Sequence, residues 1–334
     1  MESSPETNPL GIVGDIGGTN CRLALVDWQD GQPTPRPFTT FLCAEYHTAV
    51  ACIEAWLKTQ SLEKPPRYAV LAVAGPVRDG AASLANNPWH LSEANLTTEL
   101  GLTKVRLLND FAILAVGVPF LGPSDSVVVG PNVPSRPNST IAVMGPGTGF
   151  GLSALAGGVR AGLLVTEGGH ISYAPTDETE FAILRIMLRA RPRVSIERIL
   201  AGPGLARLHA ALEEISGKKL SGLEAPAITE AAAAGDADAV ATVNRFCAIL
   251  GSVAGDLALA LGAEGGVFIA GGIAPRLLKQ LPNTPFRQRF EAKGRRNGYM
   301  QLIPTRVITT ESVAMRGAAH ELASLAGLAL LPSP

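Results

Sequence analysis

The chain has 334 residues, 46% of them hydrophobic and 17% charged, with a formal net charge of −1 and a pI near 6.5. That length exceeds what one hydrophobic core usually supports, so two domains, or two lobes around a cleft, are expected in a well-packed rather than disordered protein. The near-zero charge offers no field for nucleic acid or an anionic membrane, and an aromatic share of 5% leaves little for base stacking, so any phosphate site must be local.

Residues 1–9, MESSPETNP, are polar without a basic segment leading into an apolar one, which reads as a loose tail and not a leader. Next, GIVGDIGGTNCRLALVD (Gly11–Asp27) predicts strands near 10–15 and 21–27 joined by a tight polar turn. Glycines between strand-like runs ordinarily mark a hairpin whose backbone needs φ > 0. Here Asp15 ends the first run, and Gly17, Gly18 and Thr19 offer unobstructed N–H groups and a hydroxyl. Such a turn suits an oxyanion, with a carboxylate placed to hold a cation. It matches neither G-x-x-x-x-G-K-[ST] nor G-x-G-x-x-G, so a P-loop or a dinucleotide fold is not implied. A core-facing helix follows at 45–58, with Tyr46, Ala49, Val50, Ile53, Trp56 and Leu57 on one stripe. Strands are expected near 68–74 and 104–108, and between them Ser92 caps a helix that Gly101 ends. The first 110 residues thus read as an α/β domain.

The opening pattern then returns in STIAVMGPGTGFGLSALAGG. Gly145, Gly147, Thr148 and Gly149 echo Gly14, Gly17, Gly18 and Thr19, with no carboxylate where Asp15 would stand. Two facing phosphate loops, one carrying a metal-holding carboxylate, are the sharper reading; a mere duplication of hairpins is the plainer one. Helices follow in ETEFAILRIMLRA, ERILAGPGLARLHAALEEI and ADAVATVNRFCAILGSVAGDLALALGA. The Ala- and Gly-rich last one suits close packing and contact with another subunit. The strand GGVFIAGG ends at Gly271 and Gly272 ahead of a helix over Ile273–Leu278, a turn that lets a flat ligand and its phosphates approach the backbone. A final helix at 314–325 is expected to return to the first domain.

Chemistry-bearing residues cluster in three further stretches. In VRLLNDFAILAV a strand ends at Leu108 and a helix begins after Asp110. Asn109 or Asp110 suits a helix N-cap, yet a carboxylate at a strand's carboxyl end also faces the crevice where open α/β sheets take ligands. Asp110 is therefore the candidate base, since phosphoryl transfer through a loose transition state needs little proton removal in advance. In TEGGHISYAP, a Gly-Gly turn can fold Glu167 and His170 to the same side, although a histidine satisfied within the structure is the plainer alternative. SIERILAGPGL supplies Glu197, which otherwise reads as a solvated helix residue or dipole partner. With Asn109, Asp110, and Asn86 or Asn87 of LANNPWHLS, these short forked groups suit a ring of hydroxyls rather than an apolar substrate. The histidines, at 47, 90, 170, 209 and 320, form no H-E-x-x-H, and G-x-S-x-G is absent. Cys21, Cys43, Cys52 and Cys247 show no C-x-x-C or Cys/His clustering, so neither structural zinc nor a disulfide scaffold is expected. No run reaches the roughly 18 apolar residues of a membrane span without glycine, proline or charge interrupting it, and a reducing cytoplasm fits best.

Together, GDIGGTNCRLALVD, LLNDFAILAVGVPFL, GPGTGFG, EGGHISYAP, ERILAGPGL and GGVFIAGGIAPR resemble the bacterial glucokinase family, in order, from about residue 10 to 320. The resemblance implies a duplicated α/β fold of the actin-like (ribonuclease H-like) ATPase and sugar kinase type, two lobes around a cleft. Residues 10–120 plus 311–334 would form a small domain, 121–310 a larger one with helical additions, and 1–9 a tail. The implied activity is ATP- and Mg²⁺-dependent phosphorylation of D-glucose at its 6-hydroxyl, in a cytoplasmic homodimer. By motif, Asp110 would be the base, with Asn109, Glu167, His170 and Glu197 on the sugar; Asn86 joins them from the reading above. Gly14, Asp15, Ile16, Gly17, Gly18 and Thr19 would form the first phosphate loop, Asp15 orienting Mg²⁺ through water. Gly147, Thr148 and Gly149 would form the second, and Gly271 and Gly272 the nucleotide turn. Related sugar kinases and repressors with a Cys-rich zinc motif after the histidine are disfavoured, because GGHISYAPTDE has no cysteine. The alternatives are a kinase for another hexose or an amino sugar, a non-catalytic sugar-binding regulator, for which the short tail leaves no room for a DNA-binding module, and an actin-like filament or chaperone ATPase.

Overall fold

A computed structural model describes residues 9–84, 87–157 and 162–328. The described residues up to Leu121, with those from Thr310 onward, form one unit, and Gly122–Thr309 form a second. In the first, β1 (Gly11–Ile16), β2 (Asn20–Gln29), β3 (Gln32–Pro35), β4 (Thr39–Leu42), α1 (Ala49–Lys58), β5 (Tyr68–Val73), β6 (Ala81–Ser83), β7 (His90–Ser92), α2 (Glu93–Glu99), β8 (Lys104–Asn109) and α3 (Asp110–Gly117) follow one another. The second unit contains β9 (Ser126–Val128), β10 (Ile141–Pro146), β11 (Phe150–Leu155), β12 (Leu163–Val165), α4 (Glu178–Leu188), α5 (Ile196–Ile199), α6 (Gly202–Ile215), α7 (Ala225–Ala233), α8 (Ala237–Leu261), β13 (Gly266–Ile269), α9 (Phe286–Glu291), α10 (Asn297–Gln301) and β14 (Thr305–Ile308). The chain then returns to the first unit as α11 (Val313–Leu325).

Both units are built on one topology. In the first, the order is β3-β2-β1-β5-β8, with β4 also on β2; β1 and β2 are antiparallel, while β1–β5 and β5–β8 are parallel. The second reads β12-β11-β10-β13-β14-β9, again with an antiparallel β10–β11 pair beside parallel β10–β13 and β13–β14. The duplication expected from the two glycine turns is therefore present in the sheets. Central strands such as β5 (YAVLAV) are buried almost throughout because helices cover both faces of the first sheet. On one face Ile12, Leu71 and Leu107 pack with Ile53, Trp56 and Leu96 from α1 and α2. Across the sheet, Val13, Val70 and Ala72 meet Ile113 of α3 and Met315 and Leu322 of α11.

Local chemistry sets the element ends. Thr48 accepts the Ala51 N–H, so α1 begins at Ala49 and Tyr46 stays extended, shortening the helix expected over 45–58. Ser92 caps α2, and Gly101, at φ 64°, follows its end as expected. ERILAGPGLARLHAALEEI does not form one helix: Leu200 (φ −94°, ψ 61°) and extended Ala201 separate α5 from α6. The expected helix over Ile273–Leu278 is only a 3₁₀ turn at Ala274–Leu277, with a proline in its first turn.

The Ala- and Gly-rich α8 is used inside the second unit. A Cβ at Gly251 would lie 2.0 Å from the Phe286 carbonyl oxygen, and one at Gly255 2.5 Å from that of Phe290, so its small residues admit α9. By length and hydropathy α8 would pass for a membrane span, yet 72% of its apolar window is buried. Asp238, Arg245 and Asp256 interrupt it with charge. Among the described residues all four cysteines are free and buried, without a disulfide.

Candidate active site

In the first unit, the end of β1, its turn into β2 and the start of α3 border an open cavity of about 260 Å³. Asp15, Gly17, Gly18, Thr19, Arg22 and Asp110 line it, with Asn20 and Ala74. The turn is closed by the Gly17 N–H donating to the Asn20 carbonyl at 2.9 Å. Gly17 does not take the positive φ that the hairpin reading asks of it; instead it leaves the cavity side open, a Cβ there meeting only the Asn20 oxygen at 3.6 Å. Gly14 serves differently from its neighbours. It lies within buried β1, and a Cβ would press 2.8 Å from Leu71 and 3.0 Å from Leu23, so packing explains this glycine. The Ile16 side chain is likewise fully buried.

The two carboxylates in this cavity have distinct surroundings. Asp110 opens α3, its Oδ1 accepting the Phe111 N–H at 2.9 Å. Burial pushes its carboxyl up to about 6, with the Asp15 charge adding to the rise and the Phe111 N–H opposing it. Burial also raises Asp15, against which Arg22 works; their closest approach is 3.5 Å, across the β1–β2 register. Arg22 also lies 3.6 Å from Glu311, so a guanidinium belongs to the site that the motif reading did not single out. Asn109 is the helix cap: its Oδ1 accepts the N–H groups of Phe111 and Ala112, and its Nδ2 donates to the Gly75 carbonyl. That accounts for most of its hydrogen-bonding capacity and makes it first a positioner of Asp110. Asn86 lies outside the described residues, but its neighbour Asn87 donates to the Gly18 carbonyl at 3.3 Å, bracing the turn.

The second unit repeats the turn with one change. Gly147–Gly149 join the paired residues Pro146 and Phe150, whereas Gly17–Asn20 join Ile16 and Cys21, so the second loop is shorter. Counting back from the strand ends corrects the echo drawn from sequence: Gly145 corresponds to Asp15, not to Gly14. A Cβ at Gly145 would sit 2.0 Å from the Ala270 carbonyl oxygen, and no carboxylate fits there. Around Gly147 the space is open, a Cβ meeting nothing within 4 Å, and Thr148 is exposed. The turn after β13 closes on this loop. Gly271, at φ 85°, places its α-carbon where a Cβ would be 2.4 Å from the Pro146 carbonyl oxygen, while Gly272 is unobstructed.

Glu167 precedes, and His170 ends, a 3₁₀ turn whose glycines pack on β11; a Cβ at Gly169 would be 2.1 Å from the Phe150 carbonyl oxygen. The glycine turn therefore presses inward and leaves both polar side chains more than half exposed, His170 Nε2 standing 3.9 Å from Glu167 Oε2. His170 and Glu197 line one cavity of about 260 Å³ with Ser195, Arg191, Arg193 and Arg198, three arginines absent from the sequence reading. A bridge between Ser172 and Ser195, and the Arg193 guanidinium donating to the His170 carbonyl at 2.7 Å, stitch the two segments together. Glu197 Oε2 accepts the Phe150 N–H at 3.1 Å. Behind the turn, Tyr173 donates to buried Glu180 at 2.8 Å, and Glu180 is held in turn by Arg245 and Arg289.

No group of three or more His, Cys, Asp or Glu side chains capable of holding a metal occurs among the described residues. Two carboxylates beside an open loop do fit Mg²⁺, which keeps several waters and uses one or two carboxylates plus phosphate oxygens.

The glucokinase family profile matches residues 12–325. A glucokinase from Caulobacter sp. strain K31 is 49% identical over 313 residues, covering 93% of this chain and 94% of that protein. The chain belongs to the glucokinase family. It is a hexose kinase, a phosphotransferase. The Caulobacter vibrioides glucokinase is 46% identical over 318 residues, covering 94% of this chain and 95% of its own. A glucokinase structure from an Antarctic psychrotroph superposes with a TM-score of 0.86 at 37% identity, covering 94% of this chain and 98% of its own. The fold is that of the sugar kinases, as the motifs implied.

Proposed function

We propose that this member of the family transfers the terminal phosphoryl group of ATP to the 6-hydroxyl of D-glucose, with Asp110 as the general base. The reading is carried by one observation above all. A carboxylate raised to about 6 by burial shares a cavity with an open glycine turn and a second carboxylate. A base of that strength is largely ionised at neutral pH yet accepts a proton more readily than an ordinary aspartate, as the hydroxyl loses it during in-line attack. Asn109 keeps Asp110 at the head of α3 through its two capping bonds. Glu167, His170 and Glu197 supply acceptors and a donor for sugar hydroxyls. Gly17–Thr19 and Gly147–Gly149 present backbone N–H groups and the Thr19 and Thr148 hydroxyls to phosphate oxygens, with Gly271 and Gly272 at the nucleotide. Asp15 would hold Mg²⁺ through water, and the ion, when bound, would neutralise charge on the phosphate chain.

The resemblance extends the proposal to a cytoplasmic homodimer, whose assembly light scattering of the purified chain tests. For the activity itself, the test is ADP release measured with ATP and Mg²⁺ across glucose, other hexoses and amino sugars. Glucose should support the highest kcat/KM. A preference for another hexose or an amino sugar would reassign the substrate, and ADP release indifferent to sugar would favour a filament or chaperone-type ATPase.

A further inference from the structure

Glu197 joins the sugar side of the second unit to its phosphate loop. Its Oε2 accepts the N–H of Phe150, the residue directly after Gly147–Gly149, at 3.1 Å. Gly149 makes that contact possible, because a Cβ there would lie 2.4 Å from the same Oε2. A second link ties the loop to the following helix, the Gly202 N–H donating to the Gly147 carbonyl at 2.9 Å. The two helices are themselves locked together, since a Cβ at Gly204 of α6 would stand 2.2 Å from the carbonyl oxygen of Ile199 in α5. The loop and the segment bearing Glu197 are thus fastened at two points. Glu197 also lines the cavity that contains His170, and its Oε1 has no hydrogen-bond partner among the described residues.

We infer that Glu197 couples the two substrates: a sugar hydroxyl donating to Oε1 fixes the carboxylate, and Oε2 then holds the Phe150 N–H and the Gly147–Gly149 loop in the form that takes nucleotide phosphates. This rests on the proposed placement of sugar at Glu197 and phosphates at that loop. A carboxylate bonded through both oxygens loses rotamer freedom, so the second ligand meets a loop already ordered by the first. Linkage makes the effect reciprocal: glucose tightens nucleotide binding by the same factor by which nucleotide tightens glucose. Glu197 then acts as a positioning residue for the phosphate loop as well as a sugar ligand.

The test is calorimetric titration of the full-length chain with a non-hydrolysable ATP analogue and Mg²⁺, with and without glucose, and the reciprocal titration of glucose with and without the analogue. In the unaltered protein glucose should tighten the analogue by about fivefold or more. In Glu197→Ala and in Gly149→Ala, whose added methyl displaces the carboxylate, that ratio should fall to within about twofold of unity. Glu197→Ala adds no atoms to the packed loop and decides the matter where Gly149→Ala does not fold. A ratio near one in the unaltered protein, or an unchanged ratio in Glu197→Ala, overturns the coupling. Should Glu197→Ala leave the glucose Kd itself unchanged, the placement of the sugar fails first; weakened glucose binding with the original ratio retained defeats the coupling alone.

Discussion

Replacing Asp110 with asparagine should have opposite effects on activity and stability. The substitution keeps an oxygen for the Phe111 N–H, so the head of α3 survives. What it removes is a partly buried carboxylate whose pKa stands at about 6 instead of 3.8. Folding therefore favours the protonated form: its stabilising contribution is complete below about pH 4, is lost as pH rises through the folded value near 6, and is absent above it. The rise corresponds to at most about 3 kcal/mol, and to less where water reaches the carboxylate. Asp110→Asn should accordingly be more stable than the unaltered protein at pH 7.5, and the advantage should vanish near pH 4. Its kcat should fall by at least about 100-fold, because no base remains at the attacking hydroxyl. Urea unfolding at the two pH values, alongside steady-state kinetics, measures both. Retention of kcat within about tenfold would refute the base; loss of stability at pH 7.5 would refute the burial argument.

Other consequences follow from the same geometry. In the unaltered enzyme kcat/KM for glucose should fall as pH drops through about 6, where Asp110 takes up its proton; a flat profile from pH 5 to 8 would contradict its role. Asp15→Asn removes a charge that raises Asp110, so the acid limb of the remaining activity should move to lower pH. His170→Ala should raise the glucose KM by about tenfold or more, with a smaller change in the ATP KM, as expected for lost sugar hydrogen bonds. Glu180→Gln removes the buried counter-charge of Arg245 and Arg289 and leaves them only the half-exposed Asp177 carboxylate, and chemical denaturation should show a loss of about 1–3 kcal/mol.

Much of this arrangement was legible because its signals are local. A strand, a glycine turn and a second strand occur twice, and each occurrence proved to be the antiparallel pair of a sheet with the same order. The place of Asp110 in the cavity lining was legible because a carboxylate where a strand becomes a helix has few places to point. Asn109 illustrates the limit: capping and sugar binding ask for the same residue, and only its bonds to Phe111, Ala112 and Gly75 show how far the cap engages it. Gly145 reads as the counterpart of Gly14 only in the absence of a strand register, and the Ala270 carbonyl that excludes a side chain there belongs to the residue just after β13, far along the chain. The arginines at 191, 193 and 198 carry no periodic or motif signal. They matter only because the bridge from Ser172 to Ser195 brings their segment beside His170. Helix breaks at Leu200 and Ala201 were hidden for a similar reason, since helix-forming residues there were overruled by packing and by the proline that opens α6.

The most direct measurement is NMR identification of the product when the purified chain is supplied with glucose, ATP and Mg²⁺, with ADP release followed in parallel. One phosphate ester, at the 6-hydroxyl, should form in step with ADP and be lost in Asp110→Asn. ADP release without a sugar ester, or an ester at another hydroxyl, would contradict the proposed reaction.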